Sequence, residues 1–327
     1  MKASQISRAI INLVKNRQPL FLWGPPGVGK SQIVKQAAEK TGLEVRDVRA
    51  VLLDPVDLRG IPNITPEGLS RWCAPSFLPR EGEGILFLDE LNTAPPLVQA
   101  ACYQLILDRK IGEYSLPDGW AVIAAGNRDK DRAVTHKMPS ALANRFVHID
   151  FTVDMDEWLK WAEQNGIAPE IIEFLKFRPN LLHDFTPEKE DLAFPTPRSW
   201  EFASNLVSTI SDEALLTELL EGTIGKGATV EFMGFQRIYY QLPEIQKILT
   251  SPTSVAVPTD PAILFATCEL TGKHASLEYA ENLFTFAERL PEEFGVLLVR
   301  EAVRNCSEIT SLDAFSAWAA CNSDILV

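Results

Sequence analysis

Gly24-Pro25-Pro26-Gly27-Val28-Gly29-Lys30-Ser31 decides the reading of this chain. The octet satisfies G-x-x-x-x-G-K-[ST] at every fixed position. Its flanks fit it. The apolar run Leu20-Phe21-Leu22-Trp23 reads as a buried strand, and Lys30 to Lys40, closed by Gly42, reads as a helix with a glycine stop. A glycine-rich turn between strand and helix curls backbone N–H groups around phosphates at the positive end of the helix dipole. The candidate phosphate-binding residues are therefore Gly24, Pro25, Pro26, Gly27, Val28, Gly29, Lys30 and Ser31. Lys30 is placed to reach the β- and γ-phosphates, and the Ser31 hydroxyl to hold Mg²⁺. Lys30 is also a cation in a first helical turn, where it opposes the dipole. A bound polyphosphate removes that conflict.

Outward from the octet, residues 1–150 alternate short apolar strands with helical stretches, the pattern of a layered α/β domain. Leu20–Trp23, Val45–Ala50, Ile85–Leu88, Ala121–Ala125 and Val147–Phe151 are the expected strands. Near-continuous apolar runs among them fit a parallel sheet covered on both faces. Ser4–Lys15, Lys30–Lys40 and Ala94–Asp108 are the expected helices, with Pro95 and Pro96 in the first turn of the last. From about Asp154 the texture changes: Asp156–Gln164, Pro169–Phe177, Trp200–Ile210 and Glu213–Glu221 read as amphipathic helices, and no convincing strand appears. The proline- and threonine-rich run Thr250–Pro261 reads as a linker. Beyond it Ala262–Leu270, Ser276–Leu290 and Glu292–Cys306 form another helical unit. The expected divisions are an α/β core at 1–152, a helical lid at 153–249 and a linker with helical extension at 250–327.

Two more strand ends carry chemistry. Ile85-Leu86-Phe87-Leu88 ends in Asp89-Glu90. Adjacent residues of a strand turn different ways, so one carboxylate can hold the metal shell while its neighbour addresses a water. Asp89 is the candidate metal-side residue and Glu90 the candidate base. Trp120–Gly126 is followed by Asn127-Arg128. In a parallel sheet ligands gather at the carboxyl ends of the strands, which sets Asn127 on the same rim as Lys30 and Glu90. There its amide could orient a water or contact the γ-phosphate. Arg198 follows Thr196-Pro197, a good N-cap and first helical residue, and repeats the conflict of a cation against the dipole seen at Lys30.

With these motifs in place, residues 20–151 resemble the AAA+ ATPases, specifically the MoxR-type branch. Gly24–Ser31 is similar to the family's Walker A loop. Leu88-Asp89-Glu90-Leu91-Asn92-Thr93-Ala94-Pro95-Pro96 resembles the branch's Walker B segment, and Asn127 stands at sensor 1. Ser140-Ala141-Leu142-Ala143-Asn144-Arg145-Phe146 is similar to the arginine-finger segment, which implies that role for Arg145. Phe194-Pro195-Thr196-Pro197-Arg198-Ser199-Trp200 resembles the start of the sensor 2 helix, which implies that role for Arg198. The resemblance implies an AAA+ three-layer core with a five-stranded parallel sheet, a helical lid and ATP with Mg²⁺ as ligands. It implies a homo-oligomeric ring, a hexamer in the family, whose catalytic set is Glu90, Asn127, Arg198 and the Arg145 of a neighbouring copy. It also implies work on a client protein beside a von Willebrand factor A-domain partner. Hairpin inserts are implied at Leu58–Pro79 and Lys110–Trp120. Trp72 and Phe77 could be pore contacts there or small-core packing residues.

Composition narrows the alternatives. Residues 1–150 carry 19 Lys+Arg against 16 Asp+Glu, and residues 151–327 carry 12 against 28, within an overall charge of −13. The acidic half repels nucleic acid, which disfavours an AAA+ motor or loader on DNA or RNA. A nucleotide-gated scaffold without hydrolysis has no need of a water-activating carboxylate such as Glu90. No apolar run approaches the ~20 residues of a membrane span. The N-terminal residues lack the apolar core of a signal peptide, so a cytoplasmic location is expected. Cys73, Cys102, Cys268, Cys306 and Cys321 show no C-x-x-C spacing and read as reduced thiols. His136, His148, His183 and His274 are too scattered to read as a metal site.

Overall fold

The computed structural model describes residues 1–128, 131, 138–187 and 191–321. Among the described residues there are nine strands: β1 Leu20–Trp23, β2 Glu44–Arg49, β3 Ile61–Ile64, β4 Ser70–Cys73, β5 Glu83–Asp89, β6 Lys110–Ile111, β7 Tyr114–Ser115, β8 Gly119–Gly126 and β9 Val147–Asp150. Among the described residues, ten α-helices fall within or begin in the first 230. They are α1 Ala3–Lys15, α2 Lys30–Glu39, α3 Pro55–Arg59, α4 Pro96–Asp108, α5 Ser140–Ala143, α6 Met155–Gln164, α7 Pro169–Phe177, α8 Pro197–Thr209, α9 Glu213–Ile224 and α10 Lys226–Tyr239. Five follow: α11 Ile245–Thr250, α12 Pro261–Lys273, α13 Ala280–Ala287, α14 Glu292–Asn305 and α15 Asp313–Cys321. The chain forms two compact units, Met1–Thr229 and Val230–Val327.

Five strands form one parallel sheet in the order β2-β5-β8-β1-β9. The alternation of a strand sorts its side chains into two cores. Phe21, Leu86, Leu88, Val122 and Ala124 face one side, with Val98, Cys102 and Leu105 of α4. Leu20, Leu22, Ile85, Phe87, Ile123 and Ala125 face the other, with Ile6 and Ile10 of α1 and Val34 and Ala37 of α2. This is the expected three-layer α/β arrangement. The edge strand β2 is mostly exposed and polar, whereas the inner strands are almost wholly buried. Among the described residues no strand occurs after Asp150. The second unit closes its own core around Leu264, Cys268, Phe284, Phe286, Leu298 and Trp318.

Both inserts contain antiparallel hairpins, β3–β4 and β6–β7. Phe77 packs against the α4-side core, which favours its packing reading. Trp72 is half-buried, with the Arg59 guanidinium 6.0 Å from its ring. Among the described residues no helix is long and apolar enough to cross a membrane, and no group of three His, Cys, Asp or Glu side chains could hold a metal ion. His136 lies outside the described residues.

Candidate functional site

Register fixes the site. Trp23, the last residue of β1, pairs with Gly126, the last of β8, and Leu88 of β5 pairs with Ala124. The chain therefore leaves three neighbouring strands at one level, at Gly24, Asp89 and Asn127. Gly24 N donates to the Gly126 carbonyl at 3.3 Å, and Leu91 N to the Ala125 carbonyl at 3.0 Å.

The loop after β1 turns through Gly27 (φ 76°) and Gly29 (φ 94°), backbone that side chains disfavour. Gly27 is constrained twice, because a Cβ there would lie 2.6 Å from Thr196 Oγ1. Thr196 caps α8 by accepting from Ser199 N at 3.0 Å, and Arg198 N donates to the Gly27 carbonyl at 3.2 Å. The start of α8 is thus seated on the glycine-rich loop.

At the first turn of α2, Lys30 Nζ donates to the Gly24 and Pro25 carbonyls at 2.6 and 2.9 Å and to Asn127 Oδ1 at 2.9 Å. Ser31 Oγ donates to Asp89 Oδ2 at 2.7 Å. The adjacent Lys30 and Ser31 are thus joined by direct hydrogen bonds to two residues far from them in sequence, Asn127 and Asp89. Burial pulls the Lys30 ammonium down to about 8, opposed by the charges of Asp89, Asp131 and Glu90 and reinforced by Arg198. Those causes place Glu90 and Arg198 within the electrostatic reach of Lys30. Glu90 itself is exposed and adopts φ 56°.

Arg145 is not brought to this cluster. It is exposed and precedes β9, whose first residue Val147 pairs with Leu20 at the opposite end of β1 from the glycine-rich loop. Three strand steps, about 10 Å, separate those two ends of β1.

Asp131 has a place that the sequence reading did not give it. It is buried, accepts from Arg128 N at 3.0 Å and faces both Lys30 and His183 electrostatically. The charged run Arg128-Asp129-Lys130-Asp131-Arg132 after Asn127 was a signal, but nothing in it singles out one carboxylate. A cavity of about 400 Å³ opens beside the loop, lined by Pro25, Arg128, Phe151, Val153, Leu182 and His183 among others. Arg128 forms an ion pair with Asp150 at 2.7 Å on its wall. His183 Nε2 is buried without a hydrogen-bond partner, and burial lowers the pKa of this ring.

The donor set suits a magnesium polyphosphate. The loop and the helix N-terminus provide an anion cradle, and Ser31 Oγ and Asp89 Oδ2 are two hard oxygens side by side. Magnesium bound with phosphates needs only one or two protein carboxylates.

Residues 19–146 match the family described as "AAA domain (dynein-related subfamily)". A 166-residue stretch is 28% identical to midasin of Giardia intestinalis, covering 48% of this chain. The chain spans only 3% of the length of that relative. Similar solved structures include NtrX from Brucella abortus in complex with ADP, at 14% identity and a TM-score of 0.43, covering 98% of this chain and 67% of that one. They also include the RuvB Holliday junction branch migration motor of Thermotoga maritima, at 18% identity and a TM-score of 0.40, covering 83% and 80%.

Proposed function

We propose that this chain is a magnesium-dependent ATPase of the AAA+ type that acts as a ring and remodels a partner protein. The observation that carries the reading is the direct joining of Lys30 to Asn127 and of Ser31 to Asp89 on the carboxyl rim of the sheet. Of the AAA+ branches, the MoxR type is the one we assign. With it come a hexamer, a von Willebrand factor A-domain partner, a client protein and a cytoplasmic location. Core 1–152, lid 153–249 and extension 250–327 are its working parts in this reading.

The glycine-rich loop binds the triphosphate, and the cavity beside Pro25 receives the base. Lys30 exchanges its loop carbonyls for β- and γ-phosphate oxygens. Ser31 and Asp89 would hold Mg²⁺, which when bound neutralises phosphate charge. Glu90 takes the proton of the attacking water, and Asn127 orients that water. Arg198 reads the γ-phosphate from the start of α8, while Arg145 serves the site of a neighbouring copy.

The test is ATP turnover per chain across a range of protein concentrations, with and without DNA. A rate that rises with concentration and ignores DNA is expected. No turnover at any concentration overturns the reading, and strong stimulation by DNA replaces it with a nucleic-acid motor.

The state of Lys30 adds a pH dependence. In the free site its ammonium loses its proton above about pH 8. A bound triphosphate favours the charged form and raises that value, so binding takes up a proton once the solution passes pH 8. ATP affinity is therefore full below this point and weakens above it, by up to about tenfold per pH unit. Calorimetry from about pH 7 to about pH 9.5, in buffers of different ionisation enthalpy, measures both effects. Lys30→Met should bind weakly with no such slope.

A further inference from the structure

Asn92 stands two residues beyond Glu90 and is buried, at 2% exposure. Its Nδ2 donates to the backbone carbonyl of Asn127 at 2.6 Å. Its own carbonyl and that of Ala94 accept from Gln99 Nε2 of α4 at 3.4 and 2.9 Å, and Gln99 Oε1 accepts from Tyr103 at 2.5 Å. A buried chain of polar groups thus runs from α4 through Asn92 to the peptide of Asn127, whose side chain meets Lys30. The amide fits closely. A Cβ on Gly126 would lie 2.0 Å from Asn92 Oδ1, so only glycine admits it there. Oδ1 itself is buried without a hydrogen-bond partner. Leaving an acceptor unpaired costs free energy, so filling this space with an amide rather than an apolar group has to be offset by what its donor achieves.

From this geometry, and resting on the ATPase reading above, we infer that Asn92 is a positioning residue that locks the turn carrying Glu90 to the peptide carrying Asn127. Base and water-orienting amide sit on separate strand ends, β5 and β8. Backbone pairing stops at Leu91, whose N–H meets the Ala125 carbonyl. Beyond that point Asn92 Nδ2 is the hydrogen bond that ties the two loops together. The Asn92 amide bonds to the Asn127 peptide and not to the cradle, and the Gly126 carbonyl accepts from Gly24 N whether or not the amide is present, so the link governs the alignment of the reacting groups and not the holding of nucleotide.

Two lesions approach this link from opposite sides. Asn92→Ala removes the donor. Gly126→Ala keeps it but drives a methyl group into the amide. Each should lower kcat about tenfold to a hundredfold and leave KM for ATP within about twofold, the pattern of misaligned catalytic groups. Gly126→Ala should also lower the melting temperature. The double variant separates alignment from packing. Without the amide, the nearest remaining neighbour of the methyl at 126 is Phe21 Cζ, at 3.0 Å. Its melting temperature should therefore recover while kcat stays low. Asn92→Asp, which fills the same volume, should also show the kcat loss, because it sets an acceptor against the Asn127 carbonyl. Wild-type turnover in Asn92→Ala or Asn92→Asp, or a kcat that returns with the melting temperature in the double variant, overturns the inference alone. A wild-type chain that does not hydrolyse ATP overturns the site reading and the inference together.

Discussion

Glu90→Gln should cut ATP turnover by about 10²–10⁴-fold while ATP still binds, the loss expected when a positioned general base goes. The substitution keeps the shape of the side chain and removes only its basicity. Its surroundings tolerate the exchange. Glu90 is exposed, and the contacts of its turn are made by backbone: its N–H donates to Asp89 Oδ1 at 3.0 Å, and its carbonyl accepts from Thr93 N and Oγ1 at 3.1 and 2.8 Å. None of these involves the Glu90 carboxylate. The turn also holds Glu90 at φ 56°, a left-handed conformation that costs a residue with a Cβ about 1–3 kcal/mol. A surface turn with no duty would favour glycine there. Retention of a charged side chain in strained backbone, one residue past Asp89, supports its assignment as the base. Phosphate release gives the rate, and a fluorescent ATP analogue gives the affinity. Turnover near wild type would remove Glu90 from the role.

The reach of sequence reasoning differed between strand ends and the loops beyond them. The inner sheet strands β1, β5 and β8 are legible because buried parallel strands are short apolar runs bounded by turn formers, and β1 matches its expected range, Leu20–Trp23. Once such a sheet is granted, a parallel rim brings Lys30, Ser31, Asp89 and Asn127 to one end, and their hydrogen bonds follow. Helix starts were legible at Thr196-Pro197 for the same local reason, since capping is written in two residues. The helix α10, Lys226–Tyr239, was missed. Gly227 and Gly234 and the β-branched Thr229 and Val230 weaken its local signal. Asn92 was quoted within its motif without a role, and Asp131 had none either. Their parts depend on which loop lies beside which, a tertiary fact that no periodicity encodes. Arg145 is the opposite case: a motif names it, and the fold keeps it away from its own site.

That separation leads to the second large effect. Arg145→Ala should depress ATP turnover by about 10³-fold or more, as loss of a trans arginine does in phosphoryl transfer, and the loss should be repairable by another chain. Phe146, buried against Phe21 with ring centroids 5.4 Å apart, anchors the segment, and the His148 ring meets the Ala143 carbonyl at 2.7 Å. The backbone around Arg145 is therefore fixed while its side chain faces solvent. Its position before the first residue of β9 puts it at the far end of the sheet from Lys30, so it cannot serve the cluster of its own chain. If it acts in catalysis, it acts on a neighbour. Lys30→Ala disables a site but leaves its own Arg145 intact, whereas Arg145→Ala leaves a competent site without its finger. Mixed rings place some intact sites beside intact arginines, so two inactive proteins should together recover part of the wild-type rate. Co-assembly is checked first by light scattering with ATP present. Mixed rings that form yet stay inactive would exclude a site shared between copies, and full activity of Arg145→Ala alone would exclude the finger itself.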